Sequence, residues 1–143
     1  SDITKVVWNR VPQSGAFATV NKSNDPRFFG DVFTEDKNYN NITVECKSQA
    51  ELKFNELFNI NSKLYLWIKQ AQTEAGNNFW LLFFKVNNRG IYLLYDIEIY
   101  KLNKPSSFYD LVSKILENNS GSIKINVFSY NIIKIEKPFI NEL

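Results

Sequence analysis

The chain has 143 residues, of which 44% are hydrophobic and 22% charged, a globular balance that fits one domain and excludes a disordered tract. The formal net charge is only +2, so any nucleic-acid footprint has to come from a local patch rather than from bulk charge. The chain has no His and a single Cys, Cys46. That excludes Ser-His-Asp triads, Cys-His dyads, an internal disulfide framework and multi-Cys zinc sites.

Hydrolytic chemistry in such a chain has to rest on carboxylates, Lys, Tyr or a metal held by carboxylates. Hard oxygen donors of that kind suit Mg²⁺ or Mn²⁺. The apolar runs are too short to cross a bilayer and no signal peptide is visible, so no membrane partner and a reducing cytoplasm are expected. The sequence opens on Ser1 and holds no Met, so its natural start is expected upstream.

Residues 5–8 end a short helix or begin a strand. Residues 10–24 read as a polar loop with Pro12, Ser14 and Gly15. Residues 31–34 form a short strand, 35–41 an Asn-rich polar turn, and 42–48 a strand with clean alternation. Ile42, Val44 and Cys46 point one way; Thr43, Glu45 and Lys47 point the other. The two strands make a hairpin. A helix follows over 62–75, with Leu64, Ile68, Ala71 and Ala75 as its apolar stripe, Ser62 as N-cap and Gly76 as its stop. Residues 79–86 are almost continuously apolar, as in a strand buried on both faces. A turn at 87–90 leads to a returning strand over 91–100. A second helix spans 108–117 and ends at 118–121. Strands over 123–130 and 132–135 close the chain. Strands, helix, strands, helix, strands is the order of a mixed α/β sheet flanked by helices.

The segment with chemistry in it is Asp31 followed by Glu45-Cys46-Lys47. Residues two apart on a strand share a face, so Glu45 and Lys47 project together. Pairing Thr34 with Ile42 across the hairpin sets Asp31 opposite Glu45. Directly opposed Cβ atoms stand roughly 4.5–5.5 Å apart. Two carboxylates at that distance repel, and a divalent cation between them turns the repulsion into binding. Asp31, Glu45 and the backbone carbonyl of Cys46 are therefore the expected ligands of Mg²⁺, with Mn²⁺ able to substitute. Lys47 is expected to orient the attacking water and stabilise the pentavalent phosphorus. The competing reading is a solvated hairpin face carrying an ordinary Glu-Lys pair. Asp96 and Glu98 form another acid pair, expected on a strand, but no Lys follows in phase.

A family resemblance strengthens the first reading. The run Arg10-Val-Pro-Gln-Ser-Gly-Ala-Phe17, then Gly30-Asp31-Val32, then Thr43-Val-Glu-Cys-Lys-Ser48 resembles PD-(D/E)XK nucleases of the archaeal Holliday junction resolvase type and their phage relatives. Trp67-x-x-Gln70-Ala71 and Leu81-Leu-Phe-Phe-Lys85 resemble phage-type members. The resemblance covers residues 8–100 and leaves 101–143, the C-terminal completion of the single expected domain, without a role. It implies a restriction-endonuclease-like fold. It also implies a catalytic or water-positioning part for Gln70, and phosphate contacts from Ser14 and Gly15. Arg10, Lys22 and Arg27 flank the site in sequence and are further candidates for backbone phosphates. Many relatives carry another acid on an N-terminal helix; Asp2 matches that position poorly, so one and two metal ions both stay open. The expected function is Mg²⁺-dependent DNA cleavage on branched DNA, by a homodimer whose two-fold axis matches a junction. The alternatives are a sequence-specific restriction or homing-type endonuclease, a non-catalytic DNA-binding module on the same fold, and a structural phage protein.

Overall fold

The computed structural model describes residues 3–10, 32–49, 63–86 and 89–137. After a 3-10 turn at Ile3–Lys5, seven strands form one sheet. They are β1 (Asn9–Arg10), β2 (Val32–Phe33), β3 (Ile42–Gln49), β4 (Phe79–Val86), β5 (Gly90–Asp96), β6 (Lys124–Val127) and β7 (Tyr130–Ile135), in the order β1-β2-β3-β4-β5-β7-β6. Among the described residues three helices accompany them: α1 (Lys63–Ala75), α2 (Ile97–Leu102) and α3 (Ser107–Asn118). Among the described pairings only β3 and β4 run parallel. Parallel neighbours need a long crossover, and α1 lies in it. This is the mixed α/β architecture expected from the sequence.

The alternation of each strand sorts its side chains between two cores. On one face Val44, Cys46, Leu81, Phe83, Leu93 and Ile133 pack under Phe108, Leu111, Val112 and Ile115 of α3. On the other, Leu82, Phe84, Val86, Leu94 and Ile132 pack under Leu64, Trp67 and Ile68 of α1. β4 reads as an unbroken apolar run because helices cover both its faces. The stripe expected on α1 is buried as read, and Trp67 joins it. The helix stops at Gly76, whose φ of 58° is the left-handed conformation that glycine tolerates. Ser62 lies outside the described residues.

Two strand boundaries differ from the expectation. The returning strand stops at Asp96 instead of running to residue 100. Its carboxylate accepts from the Ile99 amide at 3.1 Å and so caps α2. Asp96 and Glu98 therefore do not share a strand, and their resemblance to a metal pair ends there. The run over 123–130 is also interrupted: Val127 pairs with Tyr130 around a two-residue turn at Phe128 and Ser129. Phe128 holds φ 55° at a position where such hairpins favour glycine, so the sequence carries no turn signal.

The stretch that the resemblance leaves without a role completes the fold. α3 covers one face, and β7 pairs with β5 from Ile91↔Ile135 to Asp96↔Tyr130. Asn119 fastens the two together. Its side chain is buried, donates to Ile115 O at 2.8 Å and Lys137 O at 3.3 Å, and accepts from the amides of Glu136 and Lys137 at 2.7 and 2.9 Å. Near the other end, Tyr95, Tyr100 and Tyr109 form a chain of rings at 5.6 and 4.7 Å. Burial pushes the phenols of Tyr95, Tyr100 and Tyr130 above their ordinary value.

Two outcomes follow. Asn119→Ala leaves two part-buried backbone amides without their acceptor and should lower stability by about 1–3 kcal/mol, read as a drop in denaturation midpoint without change in slope. The raised phenols favour the folded state fully below the ordinary phenol value of 10.0. That stability is lost as pH rises through the folded-state values, because the unfolded chain gives up its protons first. Thermal midpoints should therefore fall steeply above about pH 10. Tyr95→Phe should make that fall shallower.

Candidate active site

β2 and β3 run antiparallel with Val32 opposite Val44. This is the register that the pairing of Thr34 with Ile42 assumes. Thr34 also anchors the entry to the turn: its hydroxyl donates to Val7 O at 2.7 Å and accepts from the Asp36 amide at 3.2 Å. The Ile42, Val44 and Cys46 side of β3 belongs to the α3 core. Glu45 and Lys47 therefore project to the α1 side, where their partners on β4 are Leu82 and Phe84.

Both charged residues are 2% exposed. The Lys47 ammonium lies 3.9 Å from Oε2 of Glu45. That is looser than a charge-assisted hydrogen bond of about 2.7–2.9 Å, so the pair is held by charge more than by donor geometry. Taking two ions out of water costs several kcal/mol each, which strand packing alone has no reason to incur. A solvated Glu-Lys face, the bland alternative, is not what the fold builds. Cys46 is buried on the opposite side, a small core residue rather than a nucleophile.

The sheet register extends the row of each site residue. Lys47 aligns with Phe84, then Tyr92, then Lys134; Glu45 aligns with Leu82, Leu94 and Ile132. α1 crosses these rows in the direction opposite to β4. Trp67 sits 6.1 Å from Phe84, and Gln72, one and a half turns later, donates to the Tyr130 hydroxyl at 3.3 Å in the row of Asp96. The flank of α1 with Gln72 thus leans toward β7. At 100° per residue Gln70 falls on the other flank, toward β3, and it is exposed.

The remaining candidates are placed less fully. Arg10 lies on β1 with its backbone opposite Val32. Asp31, Ser14, Gly15, Lys22 and Arg27 lie outside the described residues. Among the described residues no group of three or more His, Cys, Asp or Glu comes together. Lys85, Arg89 and Lys134, which collect at one end of the sheet, were not singled out as a group by sequence reading. Only the strand register could have revealed them.

A family model described as "Phage putative PDDEXK endonuclease" matches residues 1–138. No curated protein and no solved structure matches the chain.

The buried pair gives a stability test separate from catalysis. Lys47→Met leaves a buried carboxylate without its nearby cation and should cost about 3 kcal/mol. The double variant Glu45→Gln/Lys47→Met should recover most of that loss. Denaturant melts of the single and double variants read the difference as a coupling energy.

Proposed function

This chain belongs to the phage PDDEXK endonuclease family, and from that membership we propose that it is a Mg²⁺-dependent DNA endonuclease with Asp31, Glu45 and Lys47 as its catalytic residues. Nuclease chemistry follows from the family. The observation that supports these residues is the buried Glu45–Lys47 pair on one face of β3, beside a strand in the register that, carried one residue further, sets Asp31 against Glu45.

The donor chemistry fits a hard divalent ion. Asp31, Glu45 and the Cys46 carbonyl would hold Mg²⁺, with Mn²⁺ as a substitute, and the chain has no His or second Cys to draw a softer metal. When bound, the ion supplies Lewis acidity at the scissile phosphate and makes water easier to deprotonate. Lys47 orients the attacking water by donating to it, and its charge offsets the negative charge that builds on the pentavalent phosphorus. Gln70, from its flank of α1, positions that water or a phosphate oxygen. Arg10, Ser14, Gly15, Lys22 and Arg27 hold the DNA backbone on either side of the cut. The product carries a 5′ phosphate.

The substrate is branched DNA, in the manner of a Holliday junction resolvase, cut by a homodimer whose two-fold axis matches the junction. The whole chain acts as one nuclease domain, in the cytoplasm of the host cell. No described helix is long and apolar enough to cross a membrane.

Labelled four-way junctions and matched linear duplexes, incubated with Mg²⁺ or with EDTA, test this. Symmetric junction cuts that require Mg²⁺ are expected. Lys47→Ala should slow them about 10²–10³-fold, and Glu45→Ala should abolish them. Equal cutting of linear DNA would keep the nuclease and remove the junction preference. Failure to cut either DNA with Mg²⁺ or Mn²⁺ would overturn the catalytic assignment.

A further inference from the structure

The charges of the described residues are sorted along the strand direction. At the end of the sheet where β4 passes into β5 stand Lys63, Lys85, Arg89, Lys124, Lys134 and Lys137. The register and the helix directions bring them there. Lys85 is one residue from the end of β4, and Arg89 is in the turn to β5. Lys134 lies opposite Tyr92, and Lys124 is opposite Ile133. Lys63 starts α1, whose direction puts its first turn at this end. The described acids there are Glu136, 3.5 Å from Lys134, and Glu117 near the end of α3. The opposite end is close to balanced, with Glu35, Asp36, Glu74, Asp96, Glu98 and Asp110 against Lys5, Lys37, Lys69, Lys101 and Lys104.

A net charge of +2 hides this separation. Lys85, Arg89 and Lys124 are exposed, and Lys134 keeps 33% of its side chain in water. The stem of Lys134 crosses the β4–β5 turn close to Gly90, where a Cβ would come within 3.2 Å of its Cε. Its stem therefore passes the turn that holds Arg89, its ammonium lies 3.5 Å from Glu136, and this is the end toward which β3 carries Lys47.

We infer that this basic end of the sheet, centred on Lys85, Arg89 and Lys134, is the track along which the DNA backbone lies when the Glu45–Lys47 site is engaged. The inference rests on the nuclease reading and adds to it a second group of phosphate contacts, separate from the loop cations before Asp31. Lys134 shares the row of Lys47 three strands away, roughly 14 Å at the usual strand spacing. At 3.4 Å per step along a strand, that is the length of about four nucleotides. DNA bound at the catalytic face therefore has phosphates within reach of Lys134, and Arg89 in the turn and Lys85 on the α3 side continue the cluster round the end of the sheet.

The test is binding of a fluorescein-labelled duplex and a four-way junction, read by anisotropy in EDTA across a salt series. The variant Lys85→Ser/Arg89→Ser/Lys134→Ser is compared with Lys37→Ser/Lys101→Ser/Lys104→Ser, which removes the same charge from the other end. Thermal midpoints check that both fold. The first should bind about 10- to 100-fold more weakly and lose roughly 2–3 from the log–log salt slope. The second should bind as the unaltered protein does. Equal losses in both variants would reduce the effect to net charge and overturn the track, as would unchanged binding in the first. Glu45→Gln separates this from the catalytic reading: it should bind normally and not cut. If Glu45→Gln cuts while the basic-end variant loses binding, the track stands and the catalytic assignment falls.

Discussion

The parallel pairing of β3 with β4 governs the architecture. It runs in register from Ile42↔Phe79 to Gln49↔Val86 and requires a crossover, which places α1 over one face. Once α1 is there, both faces of β3 are covered, and the period-2 alternation of the strand has to be resolved inside the protein rather than at its surface. Ile42, Val44 and Cys46 go into an apolar core. Glu45 and Lys47 are forced under a helix, with each other close by. A strand chosen for stability alone would carry valines at those positions. Keeping two ions there is a cost, and the catalytic role proposed for Glu45 and Lys47 would give that cost a reason.

How much of this was legible depends on whether the information was local. The hairpin register followed from the alternation of β3 and the short strand before it, and the observed pairing of Val32 with Val44 agrees. β4 and the two longer helices also announced themselves through period and composition. What escaped were boundaries set by a single interaction. Nothing in the apolar run after Gly90 says that Asp96 will turn inward as a helix cap. Phe128 carries a bulky ring where turn chemistry asks for glycine, so the hairpin of β6 and β7 was invisible until its pairing was seen. Tyr39, in a loop that reads as polar, is buried in the core.

The candidate site divides in the same way. Glu45 and Lys47 could be identified from a two-residue spacing, and Gln70 from the helix that follows. Their burial could not, because it depends on α1 lying across them. The gathering of cations at one end of the sheet was hidden further still. Lys134 is distant in sequence from Lys85 and Arg89 and reaches their end of the sheet only through the ladder of β7 with β5.

The position of β7 bears on how the protein comes into being. Among the described residues it is the last strand in sequence but not the last in the sheet, since it lies between β5 and β6. β5 consequently has an open hydrogen-bonding edge until residues 130–135 have been synthesised, and the α3 core cannot close before then either. Long-range pairings of this kind are slow to form and leave apolar strands accessible in the meantime. A nascent chain stalled short of β7 would be a candidate for chaperones or proteases rather than a working enzyme. The fold thus cannot cover the edge of β5 until β7, near the end of the described residues, is available.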